Sequence, residues 1–455
     1  MERRSFEGGQ DRPQPDPGAT GRVIVVGPYL RQRRAETDLG TTRGFEARLD
    51  EAAGLARAID LEVAETMLAP ISQIRPATYL GKGKVEEIVG LIAAHRADLI
   101  VMDCALSPIQ QRNLEKAWNA KVLDRTGLIL EIFGRRAKTK EGSLQVELAH
   151  LNYQRSRLVR SWTHLERQRG GFGFMGGPGE TQIEADRRLI GDRIARLEAD
   201  LAKVQATRRL HRAGRKRVPY RVVALVGYTN AGKSTLFNRL TRAEVQAADM
   251  LFATLDPTLR ALTLPHGGKA MLSDTVGFIS NLPTQLVAAF RATLEEVLEA
   301  DVILHVRDIS HEDAEAQQTD VEGVLRQLGI EAGVDSEIIE VWNKIDRLTP
   351  ERQEESRNAA ARQDEHHPVL LVSAQTGEGI DTLLAAVEQR LAAKRITLDL
   401  TIDAADGGGI SWLHRNAEVL EKQLTEGRYA MTVRVDPTKR DVVVKRFGAS
   451  ERSVA

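Results

Sequence analysis

Short uninterrupted apolar runs punctuate this chain, and between them the apolar residues fall three and four positions apart. Val23-Ile24-Val25-Val26 is one such run, the pattern of a strand buried on both faces. Phe45 to Ile59 carries helical spacing, Glu62-Val63-Ala64 opens a second strand, and helices over Val85 to Ala94 and Ile109 to Trp118 surround a strand at 98–103. Strand and helix alternate, which predicts a small α/β domain with a parallel sheet over residues 21–133.

The period then changes. Leu144, Leu148, Leu151, Leu158, Trp162 and Leu165 recur at alternating steps of four and three, with Arg155 in the missing place, and Ile183, Ile190, Ile194, Leu197, Leu201 and Val204 follow the same rhythm. Each stripe is one face of a long helix. Gly170-Gly171-Phe172-Gly173-Phe174-Met175-Gly176-Gly177-Pro178-Gly179 lies between the stripes. Glycine costs a helix interior about 1 kcal/mol and proline about 3. The two helices are therefore predicted to fold back antiparallel over 134–219, with this loop at the tip.

Apolar runs return at Val222-Val223-Ala224-Leu225-Val226, Ala270-Met271-Leu272, Val302 to Val306, Ile338 to Trp342 and Val369 to Val372, predicting a second α/β layer over 220–394. His305, on the Val302 to Val306 run, reads as core-edge. Past residue 395 the runs shorten: Ile396 to Ile402, Tyr429 to Val435 and Asp441 to Val444 read as strands, Trp412 to Leu424 as a helix, and Gly407-Gly408-Gly409 as a turn. A compact α+β appendage over 395–455 fits them.

At 455 residues the chain has room for about three domains with cores of their own. No apolar run approaches the ~20 residues that span a bilayer. Residues 1–20, with Arg3, Arg4, Asp11 and Asp16 among several Pro and Gly, lack the apolar stretch of a signal peptide and are expected to be a disordered tail. The single cysteine, Cys104, excludes an internal disulfide, suits a reducing, cytoplasmic compartment, and reads as a small core-edge residue. Formal charge is zero overall, yet residues 134–220 hold 20 Lys and Arg against 9 Asp and Glu, a net +11, leaving −11 on the rest. One segment carries the basic charge, which suits a polyanion partner. At its predicted tip, Arg167 and Arg169 stand beside Phe172 and Phe174: cations for phosphates and rings for unpaired bases, a combination suited to structured RNA. An ordinary solvated hairpin is the alternative.

The chemistry sits in the second α/β layer. Gly227-Tyr228-Thr229-Asn230-Ala231-Gly232-Lys233-Ser234 follows a buried strand with the spacing of a phosphate loop, in which backbone N–H groups turn inward around phosphate oxygens, Lys233 bridges the β- and γ-phosphates and Ser234 ligates Mg2+. Asp274-Thr275-Val276-Gly277 places a carboxylate at a strand end near the Mg2+ shell and offers the Gly277 N–H to a γ-phosphate. Asn343-Lys344-Ile345-Asp346 follows a third strand; an Asp carboxylate there accepts from guanine N1–H and the exocyclic amine, whereas adenine leaves it unpaired. Ser373-Ala374-Gln375 is a further strand-end loop suited to the base. In Phe252-Ala253-Thr254-Leu255-Asp256-Pro257-Thr258, Thr254 is the threonine expected to close over Mg2+ when a γ-phosphate is present, with Thr258 the second candidate. Together these predict a guanine-nucleotide switch domain. Its catalytic groups are expected to be Lys233, Thr254 and Gly277.

Ras-like enzymes orient the attacking water with a Gln after that glycine. This chain has Phe278, which has no group able to hold a water, so hydrolysis is expected to be slow until a partner completes the arrangement. Gly81-Lys82-Gly83-Lys84 opens a predicted helix but lacks phosphate-loop spacing; it reads as a helix-start turn or an RNA contact ahead of a second nucleotide site.

Other segments are more specific than these general motifs: Pro76 to Lys84 with Glu86-Glu87, Asp124-Arg125-Thr126, Ile129-Leu130-Glu131-Ile132-Phe133, the Gly170–Gly179 loop running into Glu180 and Asp186-Arg187-Arg188, and Phe252 to Thr258. Through them the chain, from about residue 21 onward, resembles the HflX GTPases, which associate with the large ribosomal subunit. The resemblance implies a two-part N-terminal domain whose hairpin reaches toward the peptidyl transferase region. It implies hydrolysis stimulated by ribosomes and, for some members, splitting of stalled or hibernating ribosomes under stress. It places GTP contacts on Gly227–Ser234, Phe252–Asp256, Asp274–Gly277, Asn343–Asp346 and Ser373–Gln375, with Mg2+ on Ser234 and Thr254. A monomer with GTP or GDP, the large subunit and its rRNA as partners is expected. The alternative is a GTP-controlled RNA-binding module in ribosome assembly, with hydrolysis only as a reset.

Overall fold

The computed structural model describes residues 21–30, 44–168, 178–215, 221–242, 251–252, 254–255, 257–280, 296–330, 338–363, 368–393, 396–425, 427–435 and 439–451. The chain divides into two compact units, one of Met1–Ala202 with Asp249–Phe252 and Asn281–Phe290, the other of Lys203–Ala248, Ala253–Ser280 and Arg291–Ala455. Among the described residues, no helix is long and apolar enough to cross a membrane.

The first unit is built on four parallel strands, β1 (Arg22–Gly27), β2 (Glu62–Leu68), β3 (Leu99–Met102) and β4 (Lys121–Asp124), in the order β2-β1-β3-β4. Helices α1 (Phe45–Arg57), α2 (Lys82–His95), α3 (Pro108–Trp118) and α4 (Arg125–Arg136) connect or follow them. Ile24, Val26, Ile100 and Met102 on the sheet meet Ile88, Leu114 and Trp118 on the helices in one core. Each such side chain contributes about 1.5–3 kcal/mol through burial. The start of α3 is set by Ser107, whose side chain accepts from Gln110 N–H while the Gln110 side chain accepts from Ser107 N–H.

Two buried polar hubs hold the carboxyl edge of this sheet. Arg125 is paired with Asp103 and, at 2.6 Å, with Glu51, while Tyr29 Oη donates to Asp103 at 2.6 Å. Asp124 accepts from Gly127 N–H at 2.8 Å, capping α4, and from Leu106 N–H at 3.1 Å. It also accepts from Tyr153 Oη at 2.6 Å and Arg157 Nη2 at 2.7 Å, both on α5 (Lys140–Gln168). A second long helix, α6 (Pro178–Arg215), follows, and Arg193 on it pairs with Glu147 on α5 at 2.6 Å. Leu251 and Phe252 belong to this unit as well. The Phe252 ring lies edge-on to Phe133, centroids 4.9 Å apart. Its φ of +56° is a left-handed conformation that costs a bulky residue about 1–2 kcal/mol.

The second unit carries a six-stranded sheet: β5 (Arg221–Gly227), β6 (Thr258–Thr263), β7 (Lys269–Asp274), β8 (Val302–Asp308), β9 (Ile338–Asn343) and β10 (Val369–Leu371), in the order β10-β9-β8-β5-β7-β6. Every pairing is parallel except β6 with β7. Val223, Leu225, Leu304, Val306, Ile339 and Val341 face a core closed by Leu236 and Phe237 on α7 (Lys233–Thr241) and by Leu383 and Val387 of the helix Ile380–Ala393. The architecture is α/β, a phosphate-loop domain with an α/β domain and long helices before it and a small α+β sheet after it.

That last sheet, β12-β13-β11-β14, corrects three expectations: β11 is Ile396–Asp403, β12 Glu418–Thr425, β13 Arg428–Val435 and β14 Ser450–Glu451. Gly407-Gly408-Gly409 is the first turn of a helix, Gly407–Asn416, because the Asp406 carboxylate accepts from Gly409 N–H at 2.8 Å and caps it. The expected helix to Leu424 ends at Asn416, and β12 pairs antiparallel with β13 instead. Asp441 to Val444 lies in a helix, Arg440–Phe447, despite its β-branched run, because that places fully buried Val443 in the core with Leu398 and Val433.

His305 is placed on β8 between Val226 and Glu340 and is 2 % exposed, with Nε2 lacking any hydrogen-bond partner. Burial pushes its pKa down to about 4, opposed by Glu340 and aided by Arg307. The unfolded imidazole, with an ordinary pKa of 6.5, takes up a proton first as pH falls, so its neutral form stabilises the fold above 6.5 and that contribution is lost toward pH 4. Between pH 7 and 5 the loss is about 2 kcal/mol. Urea unfolding of wild type and His305→Leu at both pH values should show the variant's acid loss reduced by that amount; equal losses would exclude His305 as the source.

Candidate nucleotide site

The predicted motifs converge on one edge. Gly227, Asp274, Asp308 and Asn343 close β5, β7, β8 and β9, and Ser373 follows β10, so their side chains and loops share the carboxyl ends of the sheet, where open α/β folds take ligands.

The phosphate loop is shaped before any ligand arrives. Gly232 has φ +93°, and a Cβ there would run into Asn343 Nδ2, so only glycine fits. Asn230 also adopts a left-handed conformation, at φ +59°. Lys233 opens α7, and its Nζ donates to Tyr228 O at 2.7 Å and Gly227 O at 3.1 Å. Burial lowers its pKa to about 8, outweighing the nearby Asp274 carboxylate. An anion in the loop would restore the charge's solvation.

Ser234 Oγ donates to Asp274 Oδ2 at 2.8 Å, Thr254 Oγ1 donates to the same oxygen at 2.9 Å, and the two hydroxyls lie 3.0 Å apart. Asp274 is fully buried, and its Oδ1 has no hydrogen-bond partner. Burial raises its pKa, opposed by these hydroxyls and Lys233. Three convergent hard oxygens with an unsatisfied carboxylate atom fit Mg2+, which is commonly held by few protein oxygens and completed by phosphate and water. Among the described residues no cluster of three His, Cys, Asp or Glu offers an all-protein alternative. Thr258, the second switch candidate, starts β6 opposite Asp274 in the antiparallel pairing.

At the ends of β9 and β10, Asn343 acts as a strut: its Nδ2 donates to Ala231 O at 2.8 Å and its Oδ1 accepts from Ala374 N–H at 3.0 Å. Lys344 pairs with Asp308 at 2.7 Å, and Asp346 Oδ1 accepts from Ser373 Oγ at 2.6 Å. Ile345 is buried beneath them. Thr275 Oγ1 donates to Leu225 O at 2.5 Å, and Val276 is buried. Arg239 on α7 donates to the carbonyls of Ala374 and Gln375. Arg239 and Asp308 escape a motif reading. An acid at a strand end is a signal for Asp308, whereas nothing local marks Arg239. Of the remaining candidates, Tyr228 and Thr229 are buried in the loop and Leu255 is buried beside Thr254. The Phe252 ring packs on Phe133. Ala253, Asp256, Arg169, Phe172 and Phe174 lie outside the described residues, as does the side chain of Arg167.

Four family descriptions cover the chain in order: GTP-binding GTPase N-terminal over 46–134, GTP-binding GTPase Middle Region over 136–215, 50S ribosome-binding GTPase over 222–344 and HflX C-terminal domain over 358–455. GTPase HflX of Magnetococcus marinus is 52 % identical over 86 % of this chain and 88 % of its own length. The chain belongs to the HflX family of GTPases. Its HflX relative in Escherichia coli is 42 % identical over 85 % of this chain and 89 % of that one. A GTP-binding protein of Sulfolobus solfataricus, solved with GDP, is 21 % identical, with a TM-score of 0.43 over 81 % of this chain and 98 % of that one. The resemblance to HflX proteins read from the sequence is thus shown, and this chain is a GTP-binding, GTP-hydrolysing enzyme.

The HflX chain's guanine preference is expected to rest on Asp346. Asp346→Asn should weaken GTP and favour xanthosine triphosphate, whose C2 oxygen can accept from the Asn amide, by about tenfold or more in competition binding. An unchanged preference would remove Asp346 from the base site.

Proposed function

We propose that this GTPase works on the large ribosomal subunit, docking through its basic helix pair. Ribosomes stimulate its hydrolysis, and the cycle serves to split or rescue stalled or hibernating ribosomes under stress. The observation that carries this reading is Phe278, 3 % exposed beside Gly277, which leaves the attacking water without a side chain to hold it. A partner must finish the site. The +11 segment at 134–220 is the part suited to rRNA, and the family description over 222–344 is that of a 50S ribosome-binding GTPase.

Within the site, Gly227 to Ser234 cradle the phosphates with backbone N–H groups, Lys233 faces the charge that develops on the γ-phosphate, and Asp346 with the Ser373-Ala374-Gln375 loop takes the guanine. Ser234 and Thr254 would hold Mg2+, with Asp274 orienting its shell; bound there, the ion offsets charge on the β- and γ-phosphates. Thr254 completes that arrangement when a γ-phosphate is present, and the Gly277 N–H meets the γ-phosphate. Intrinsic turnover is slow because none of these groups aligns water.

Thr254→Ala should keep GDP affinity within about twofold while weakening a non-hydrolysable GTP analogue about tenfold or more. Matching behaviour to wild type would move the switch role to Thr258.

Replacing Arg167, Arg169, Phe172 and Phe174 together by Ala should leave GTP binding near wild type, weaken large-subunit association and flatten its salt dependence by about one log unit per lost phosphate contact. Ribosome-stimulated hydrolysis should fall with it. GTPase assays with and without purified large subunits, beside sedimentation of intact ribosomes, decide between readings. Stimulation without subunit release supports the assembly module instead, and full stimulation of the quadruple variant would make the tip an ordinary solvated loop.

A further inference from the structure

The second residue of the phosphate loop reaches across to the segment that leaves Asp274. Tyr228 is 3 % exposed, and its hydroxyl accepts from Ser280 N–H at 2.9 Å. The main chains of the two segments are also joined: Thr229 N–H donates to Phe278 O at 2.7 Å and Phe278 N–H donates to Gly227 O at 3.1 Å, a parallel bridge between Tyr228 and Phe278. Gly277 lies inside this stitch. A Cβ there would sit 2.9 Å from Thr229 Cα and 3.0 Å from Lys233 Nζ, so its backbone rides directly on the loop.

Among the described residues the stitch shows three bonds, and two of them are main chain to main chain, open to any residue type. The third needs a hydroxyl at position 228. Without it the main-chain bonds at Phe278 and the Thr275 bond to Leu225 O remain, and Ser280 loses its tie to the phosphate loop through Tyr228. Phe278, Ile279 and Ser280 are buried, and the bond adds a second hold on the backbone that carries the Gly277 N–H. Phe278 brings no polar group of its own, so the direction of Gly277 is what this segment contributes at the γ-phosphate end. Hydrogen bonds made in the transition state lose strength steeply with misalignment.

We propose that Tyr228 is a positioning residue for GTP hydrolysis: by accepting from Ser280 N–H it holds the segment after Asp274 against the phosphate loop, so that Gly277 meets the γ-phosphate in register. This rests on the nucleotide site as assigned above. The tyrosine ring touches no reacting atom; it acts through the backbone of residues 277–280.

Tyr228→Phe keeps the buried ring and removes the hydroxyl that accepts from Ser280 N–H. It should lower kcat about tenfold, with and without large subunits, while KM for GTP and affinity for GDP stay within about twofold, because one misaligned transition-state donor costs rate before it costs binding. Amide exchange of the peptide carrying Ser280 should quicken. Lys233→Ala, run in parallel, should lose productive GTP binding. Unchanged kcat in Tyr228→Phe, with Lys233→Ala inactive, overturns the role of Tyr228 and leaves the site standing. A matched loss of GDP affinity and kcat also overturns it, since Tyr228 would then only shape the loop. Wild-type turnover in Lys233→Ala overturns the site itself and this role with it.

Discussion

A lysine ammonium held out of water is the constraint around which the nucleotide edge is organised. Taking such a charge into a protein interior costs several kcal/mol unless partners replace its hydration. Lys233 finds two loop carbonyls and the field of Asp274, enough to hold it but not to keep its pKa near 10.5. An anion bound at this loop would correct the deficit. A preformed loop around an under-solvated cation binds anions because the desolvation has already been met in folding, and the same charge is then in place when more negative charge gathers in the transition state.

Holding that loop open requires struts from elsewhere in the sheet. Asn343, at the end of β9, spans from Ala231 to Ala374 and so joins the loop after β5 to the loop after β10 through one side chain. Asp308 steadies Lys344, Ser373 steadies Asp346, and Arg239 steadies the loop carrying Ala374 and Gln375. Each of these bonds lies between segments far apart in sequence, which makes the site a property of the closed sheet. Fixed placement of this kind is what lets a few groups discriminate bases and align a reaction.

The strand-end motifs were legible because each is a local run whose residues act within a few positions of one another: a buried strand, a turn, then Lys233 or Asp274 or Asn343. What escaped was non-local. Tyr228 and Ser280 are 52 residues apart, and neither has a neighbour that announces the bond between them. The expected helix over Trp412 to Leu424 gives way to strand over Glu418–Thr425 because Arg428–Val435 offers a register partner. Asp441 to Val444 reads as strand and is helix because only that conformation seats Val443 in the core, a case of tertiary packing overriding propensity. Gly407-Gly408-Gly409 reads as a turn and is helix because Asp406 supplies the cap.

Asp124-Arg125-Thr126 carried much of the family resemblance, and the structure gives two of its residues work that is mechanical. Arg125 pins α4 to the carboxyl edge through Asp103 and Glu51. Asp124 caps the same helix and takes Tyr153 and Arg157 from α5, a helix of 29 residues. A long helix fixed only by surface contacts would pivot at its base. One whose middle turns are tied into a buried carboxylate, at the end of a strand, is held in direction by the sheet, because removing Arg157 would leave Asp124 without its ion-pair partner in the interior at a cost of about 3–5 kcal/mol. The direction of α5 is thus set by the sheet through Asp124, and not by its surface contacts alone.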